Sequence, residues 1–207
     1  MTWRGISLAV LILAVPATAG AQTKWTGTVS VANYFFPDDD DLVQPTAYAD
    51  RGPLHFEVRY NYEDEKATSV FAGWNFEFGT KVKLALTPIA GFVAGSTDGG
   101  IVGVKADLTW RRLEAYTEGE FVMPGDEQRH FLYNWSEFSF WATDWLRGGF
   151  ALQRTRTFRR FRSTRDIEPG LLVGVAGSRL EGTFYYFSPG TDDQYFVASI
   201  GVSFGGG

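Results

Sequence analysis

The chain has 207 residues, a formal net charge of −5, two histidines, 16% aromatic residues and no cysteine. That length suits a single domain, and the missing cysteines exclude disulfides and thiolate metal sites. The acidic total argues against a nucleic-acid partner.

The first residues read as an export signal. Arg4 supplies a positive start, Ile6 to Val15 an apolar run, and Ala17-Thr18-Ala19-Gly20-Ala21 small residues for cleavage. The apolar run is well short of the ~20 residues of a spanning helix. Residues 1–21 are therefore predicted to be a signal peptide and 22–207 the mature domain. No later stretch is a candidate membrane helix.

Twelve strand-like segments follow. Lys24–Phe36 ends at the acidic loop Pro37–Asp41, and the weaker Val43–Arg51 turns at Gly52-Pro53. Leu54–Tyr62 alternates Phe56, Val58, Tyr60 and Tyr62 with His55, Glu57, Arg59 and Asn61. Ser69–Phe78 puts Val70, Ala72, Trp74, Phe76 and Phe78 on one face, and Gly79 turns into Lys81–Phe92. Pro88 lies inside that strand and has no N–H to offer, so a bulge is expected there. After the loop Gly95–Gly100, the alternation is clearest. Val102, Val104, Ala106, Leu108 and Trp110 oppose Gly103, Lys105, Asp107 and Thr109. Past the turn Arg111–Arg112, Glu114, Tyr116, Glu118 and Glu120 oppose Leu113, Ala115, Thr117, Gly119 and Phe121. The loop Met123–Arg129 leads to Phe131–Trp141, and Thr143-Asp144 turns into Trp145–Thr157. A basic loop, Phe158–Asp166, precedes Ile167–Ala176. Gly177-Ser178 turns into Arg179–Phe187, and Ser188–Asp193 precedes the last strand, Tyr195–Phe204.

Side chains of a strand alternate between two faces, so these segments have one apolar and one charged face. Either the apolar face packs on a core, or it meets lipid around a wet lumen. The connections alternate between long polar loops and short turns along the whole chain. Aromatic residues cluster near strand ends (Trp25, Phe78, Trp110, Phe121, Trp145, Tyr186 and Phe204), as interfacial girdles require. A meander of this length would leave a soluble protein too large an interior to fill. The expected fold is all-β: a transmembrane up-and-down antiparallel barrel of about twelve strands, with ten as the alternative count.

The stretches RYNYED (Arg59–Asp64), YTEGEFV (Tyr116–Val122) and FLYNWSEFSFWATDWLRGGFALQRTRTF (Phe131–Phe158) resemble small, functionally unassigned, porin-like outer-membrane barrels of Gram-negative bacteria. The resemblance implies an integral outer-membrane location and contact with outer-membrane lipid and lipopolysaccharide. The last strand, YFVASIGVSF, resembles the signal read by the barrel-assembly machinery, with Val202 and Phe204 in its hydrophobic positions. It departs in that Gly205-Gly206-Gly207 follows the aromatic residue and the glycine is displaced to Gly201.

The lumen candidates carry both signs: Arg59, Lys81, Lys83, Lys105, Arg111, Arg147 and Arg179 against Glu57, Glu77, Asp107, Glu114, Glu118, Glu120, Glu137 and Glu181. They could tune an ion path or neutralise one another in a plug. The arginines Arg154, Arg156, Arg159, Arg160, Arg162 and Arg165, with Phe158 and Phe161 among them, lie on the loop side. They suit lipopolysaccharide phosphates or an anionic solute, and equally a solvated loop. Asp38–Asp41 lacks the ligand spacing and turn glycine of a calcium loop. A hydrolase would need His130, yet His130 and Ser136 are ~20 Å apart on an extended strand. No catalytic residue, metal or cofactor is assigned. The expectation is a monomeric, narrow, porin-like channel for small hydrophilic solutes or ions. The alternatives are a closed barrel that binds lipopolysaccharide or a partner through its arginine-rich loop and, third, an outer-membrane hydrolase.

Overall fold

The computed structural model describes residues 24–125, 130–159 and 162–205; the expected signal segment lies outside these. The strands are β1 (Trp25–Phe35), β2 (Leu42–Arg51), β3 (Leu54–Tyr60), β4 (Thr68–Trp74), β5 (Phe76–Phe78), β6 (Val82–Ala94), β7 (Gly99–Trp110), β8 (Leu113–Pro124), β9 (His130–Trp141), β10 (Leu146–Arg159), β11 (Arg162–Ala176), β12 (Leu180–Phe187) and β13 (Tyr195–Phe204). Apart from β4 and β5, consecutive strands pair antiparallel with one another. β4 and β5 both pair with β6 and form one strand interrupted at Asn75, and β13 pairs with β1. The result is a closed, twelve-stranded up-and-down barrel.

β3 shows why the solvent outside must be lipid. Leu54, Phe56, Val58 and Tyr60 are each 40–44% exposed, whereas His55, Glu57 and Arg59 are 5%, 6% and 1% exposed. Around the barrel the same inversion recurs: Phe92, Phe150 and Val173 face out, and Ser69, Glu118, Glu120 and Ser139 are buried. A water-soluble sheet would place these the other way round. The chain is a transmembrane β-barrel. Exposed Trp25, Phe78, Trp110, Phe140, Trp145 and Phe204 lie toward the turn end, and Phe35, Tyr60 and Phe92 toward the loop end, which matches two aromatic girdles.

Two local expectations are corrected, at Pro88 and at Phe158–Asp166, and the weak second strand is present in full. Pro88 makes no bulge: Phe76↔Leu86 and Gly73↔Ile89 share one register, and β6 pairs with β7 straight through Pro88↔Val104. Continuing that register sets Pro88 opposite Trp74, and the missing N–H is answered by a break in the neighbouring strand at Asn75 rather than by an extra residue. Asn75 instead donates its backbone N–H to Pro53 O at 2.7 Å and its amide to Asp50 at 2.7 Å. The supposed basic loop is mostly strand: β10 and β11 remain paired up to Arg159↔Arg162. β2, the weakest segment in the sequence, is a full ten-residue strand. Its Pro45 pairs with β1 only, beyond the point where β3 pairing begins at Thr46↔Arg59. Proline is tolerated at such a one-sided position.

The seam where the chain ends meet is packed closely. Gly27 pairs with Phe204. A Cβ on Gly27 would stand 2.2 Å from Tyr48 O and 2.5 Å from the Phe204 ring. Gly27→Val should therefore lower the temperature at which the folded band converts on heat-modifiable gels, by several degrees or more. Gly182→Ala should leave it unchanged, because the nearest atom to a Cβ there is 3.6 Å away.

A charged strut and an acidic interior

The inward faces of β3, β7 and β8 carry Glu57, Arg59, Lys105, Glu118 and Glu120, because alternation sends every second residue inside. Arg59 is the centre. Its Nε and Nη2 donate to the two oxygens of Glu57 at 2.9 and 3.1 Å, a bidentate fork. Its Nη1 lies 2.8 Å from Glu118 and 2.7 Å from Glu120, both on the separate strand β8. Glu63 stands 3.6 Å away, and the rings of Tyr62 and Phe71 pack 4.2 and 4.6 Å from the guanidinium carbon. Lys105 adds a contact to Glu57 at 2.6 Å and one to Glu118 at 3.7 Å. Tyr62 and Tyr116 both donate to Glu118, at 3.0 and 2.5 Å. The assembly is a strut that ties β3 to β7 and β8.

His55 extends this network toward the turns, bonding Asp50 at 2.8 Å and Glu57 at 3.2 Å. A second group sits lower, on β8, β9, β10 and β12. Arg147 reaches Glu137 at 3.2 Å, Glu114 at 4.0 Å and Thr183 at 3.1 Å, while Tyr185 and Trp135 donate to Glu137 at 2.7 and 2.9 Å.

Two apolar clusters pack inside the barrel beside the strut. One cluster joins Tyr34, Trp135, Ala151, Leu172, Tyr185, Phe187, Tyr195 and Val197; the other joins Ala67, Phe71, Ile89, Val93, Ile101 and Val122. The segment 61–67 folds inward between them. Asn61 and Lys66 take left-handed φ values of 57° and 62°, and Asn61 N–H closes the turn on Ala67 O at 2.9 Å. This conformation brings Tyr62 over Arg59 and edge-on to Tyr133 at 5.6 Å.

Three adjoining cavities of about 200, 310 and 290 Å³ adjoin the strut, the first walled also by Tyr34, Tyr62, Trp135, Tyr185 and Val197. Tyr116 lines all three, and Lys105 or Glu137 bridges neighbouring pairs. Their walls carry Asp50, Glu57, Asp107, Glu114, Glu118, Glu137 and Glu181 against Lys105 and Arg147, with His55 as the titratable addition. The sequence suggested nearly balanced lumen charge; the cavity walls are strongly acidic.

The difference lies in where the other cations sit. Lys81, Arg111 and Arg179 occupy turns, where alternation stops; Arg111 has φ 56° and its guanidinium lies 5.3 Å from the Trp110 ring. Lys83 and Glu77 are exposed toward the turn-side mouth. The structure brings none of these five into the interior. Sequence reading missed Asp50, Glu63 and the tyrosines Tyr34, Tyr48, Tyr62, Tyr116, Tyr133 and Tyr185; the inward parity of Tyr116 was its only available signal.

No family model matches the chain, and no curated protein matches it in sequence. Solved structures do match in shape. The KdgM porin in complex with disordered oligogalacturonate has a TM-score of 0.53 at 9% identity, over 87% of this chain and 99% of that one. The NanC porin has a TM-score of 0.54 at 9% identity, over 86% and 99%. The fold is that of outer-membrane porins. At this identity the likeness concerns the fold alone.

The remaining sequence candidates stand outside the interior. His130 stacks on Phe121 with centroids 5.8 Å apart, and its Nδ1 is buried without a hydrogen-bond partner. Its neighbours in β9, Phe131 and Tyr133, point inward, so His130 and Ser136 face outward and share no carboxylate. Ser136 instead bonds Thr117 at 2.9 Å and Asn134 at 3.1 Å. Asp38–Asp41 is an exposed loop, and among the described residues no histidine or carboxylate cluster could hold a metal. Arg154, Arg156 and Arg165 lie on β10 and β11; Arg160 and the side chains of Arg159 and Arg162 lie outside the described residues.

Arg59→Met should leave several buried carboxylates uncompensated and cost about 3–5 kcal/mol in urea unfolding from detergent or bilayer. Lys83→Met at the mouth should change stability by no more than about 0.5 kcal/mol. Glu63, outside the strands, is a second test. Burial pushes its carboxyl above the usual range, outweighing Arg59 and the Ser69 hydroxyl. A raised folded-state value means the ionised form weakens folding at high pH, and this penalty vanishes once the unfolded group is also protonated. Glu63→Gln should therefore raise the unfolding temperature at pH 7 to 8, with the gain disappearing as pH falls to about 4.

Proposed function

We propose that the protein is a narrow, porin-like outer-membrane channel that favours small cations and neutral hydrophilic solutes over anions. The acid excess of the cavity walls carries this reading. Seven carboxylates stand against Lys105, Arg147 and the Arg59 that holds Glu57 and Glu118, and this remaining acid excess, inside a low-dielectric wall, disfavours an anion's entry and concentrates cations. The oligogalacturonate bound by the KdgM porin is a polyanion, whereas the acid excess here supports the opposite charge preference.

The path opens toward the turns through Glu114 and Glu181 and narrows at the strut. Tyr62 and Tyr133, with the apolar clusters beyond, close the loop side. Segment 61–67 acts as the constriction, since Tyr62 covers Arg59 and contributes one of the bonds that hold Glu118. Passage requires that segment to withdraw, which breaks the Tyr62 contacts, the Glu63 contacts to Arg59 and Ser69 and the loop bonds at Asn61, Asp64 and Glu65, while the β3–β4 ladder stays paired.

Planar-bilayer recording under a salt gradient tests the reading. The wild type should conduct with a cation-positive permeability ratio. Glu114→Gln/Glu137→Gln/Glu181→Gln should bring that ratio toward unity, and Tyr62→Ala should raise conductance. A silent bilayer from protein shown to be folded by gel migration would sink the channel and favour a closed barrel held shut by the strut and aromatic packing.

A further inference from the structure

The cavity of about 200 Å³ beside the strut combines two features that a plain water path does not need. Among the described residues six aromatic rings line it: Tyr34, Tyr48, Tyr62, Tyr116, Trp135 and Tyr185. Three carboxylates, Glu57, Glu118 and Glu137, face the same space. An aromatic ring presents a negative π-face, so rings and carboxylates together attract a cation that also carries apolar surface. A small hydrated ion uses only the carboxylates; an alkylammonium group uses both.

The protein's own side chains show how this wall holds a cation. The Lys105 ammonium lies 2.6 Å from Glu57, 3.7 Å from Glu118 and 5.7 Å from the centre of the Tyr48 ring. Beside it, Arg59 Nη1 lies 2.8 Å from Glu118, and the guanidinium carbon 4.2 Å from the centre of the Tyr62 ring. The two cations are not held alike. The Arg59 side chain has 0% exposure, whereas that of Lys105 is 15% exposed and lines both this cavity and the one of about 310 Å³. Asp107 borders that second cavity, two residues along the same inward face of β7. It accepts a hydrogen bond from Thr109 at 3.1 Å and forms no ion pair among the described residues. A lysine stem is long and flexible, so Lys105 can turn toward Asp107 and give up its place. The exchange conserves charge, since one ammonium leaves Glu57 and Glu118 as another arrives.

We infer that this cavity is a binding site for a small organic ammonium ion, which competes with Lys105 for the seat between Glu57, Glu118 and the Tyr48 ring. The ligand's alkyl groups meet the surrounding rings, and the hydroxyls of Ser30, Thr46 and Ser199 on the same wall suit a polar tail. Lys105 is then a tethered competitor that sets how tightly such a ligand is held. The inference rests on the proposed cation preference, whose acid excess draws such ligands in, but binding is measured apart from conduction.

The test uses the full mature protein, folded in neutral detergent, with isothermal titration calorimetry at constant ionic strength. Three probes are compared: choline, its uncharged carbon isostere in which a tert-butyl group replaces the trimethylammonium, and glucose. The wild type should bind choline about tenfold or more tightly than the isostere. Lys105→Met removes the competitor and should tighten choline binding about tenfold, a gain that damage to the fold cannot imitate. Tyr48→Phe keeps the ring and should bind as the wild type does, whereas Tyr48→Leu should weaken choline several-fold. Lys83→Met, at the mouth, should change nothing. Equal binding of choline and isostere by the wild type would overturn the site without relying on any variant's folding. So would a Lys105→Met protein that binds choline no more tightly. Glucose bound more tightly than choline would show a saccharide cavity instead and overturn the ammonium assignment. Cation-selective conduction by protein that ignores choline would sink this inference alone, and choline binding by a silent barrel would support it while sinking the channel.

Discussion

In lipid no water remains to satisfy a backbone N–H or C=O, so a strand can cross only if both its edges are paired. The β1–β13 seam and the β4/β5–β6 pairing meet that demand, and the rest of the molecule follows from it. Closure fixes a circumference of twelve strands and leaves an interior that side chains must fill or water must enter. The chain does both. Its loop half is packed with aromatic and aliphatic residues, and its turn half is lined with carboxylates around cavities. The break at Asn75 respects the rule too, since Asn75 finds Pro53 and Asp50 where Pro88 cannot donate.

The strut at Arg59 shows how a barrel tolerates charge at zero solvent exposure. A buried ion pair loses hydration that its Coulombic attraction only partly restores, so geometry must be near ideal. Arg59 supplies that through a bidentate bond to Glu57 and short contacts to two residues on a remote strand. The arrangement still leaves Glu120 Oε2 and Glu63 Oε1 without a hydrogen-bond partner. Packed aliphatic residues would have filled the space at lower cost. Retaining an overcharged cluster at the narrowest level makes sense where the level must be able to loosen, because its inner-segment member, Glu63, is itself destabilising when ionised.

The fold was legible from the sequence because lipid exposure writes itself in period two. Leu54, Phe56 and Val58 against His55, Glu57 and Arg59 is a signal that no turn or loop can imitate, and the long-loop, short-turn rhythm gave the meander. What alternation could not give was depth. Lys81, Arg111 and Arg179 have the right chemistry for a lumen, yet they occupy turns; parity says which way a strand residue points and says nothing once the strand has ended. For the same reason the sign of the interior was hidden: subtract the turn cations and a balanced list becomes an acidic one. The inward fold of segment 61–67 was equally invisible, since it depends on left-handed backbone at Asn61 and Lys66 and on a guanidinium contributed by β3. Phe158–Asp166 misled because dense arginine reads as solvated loop, whereas a hairpin outside the hydrocarbon can carry it as strand.

Shape and selectivity are separable in this architecture. The KdgM and NanC porins share the barrel at about one residue in eleven, so almost every inward side chain is free to differ while the ladder that holds the wall remains. The ladder uses backbone groups, which any non-proline residue supplies. Outward positions need only be apolar, with aromatics at the rims. Inward positions therefore carry the chemistry, and a handful of them decides charge preference: converting Glu114, Glu137 and Glu181 to neutral residues would touch neither the lipid face nor the seam. The same logic places the arginines of β10 and β11 under a different constraint. They lie on the face that lipid sees, so their replacement is limited by the outer surface and not by the interior.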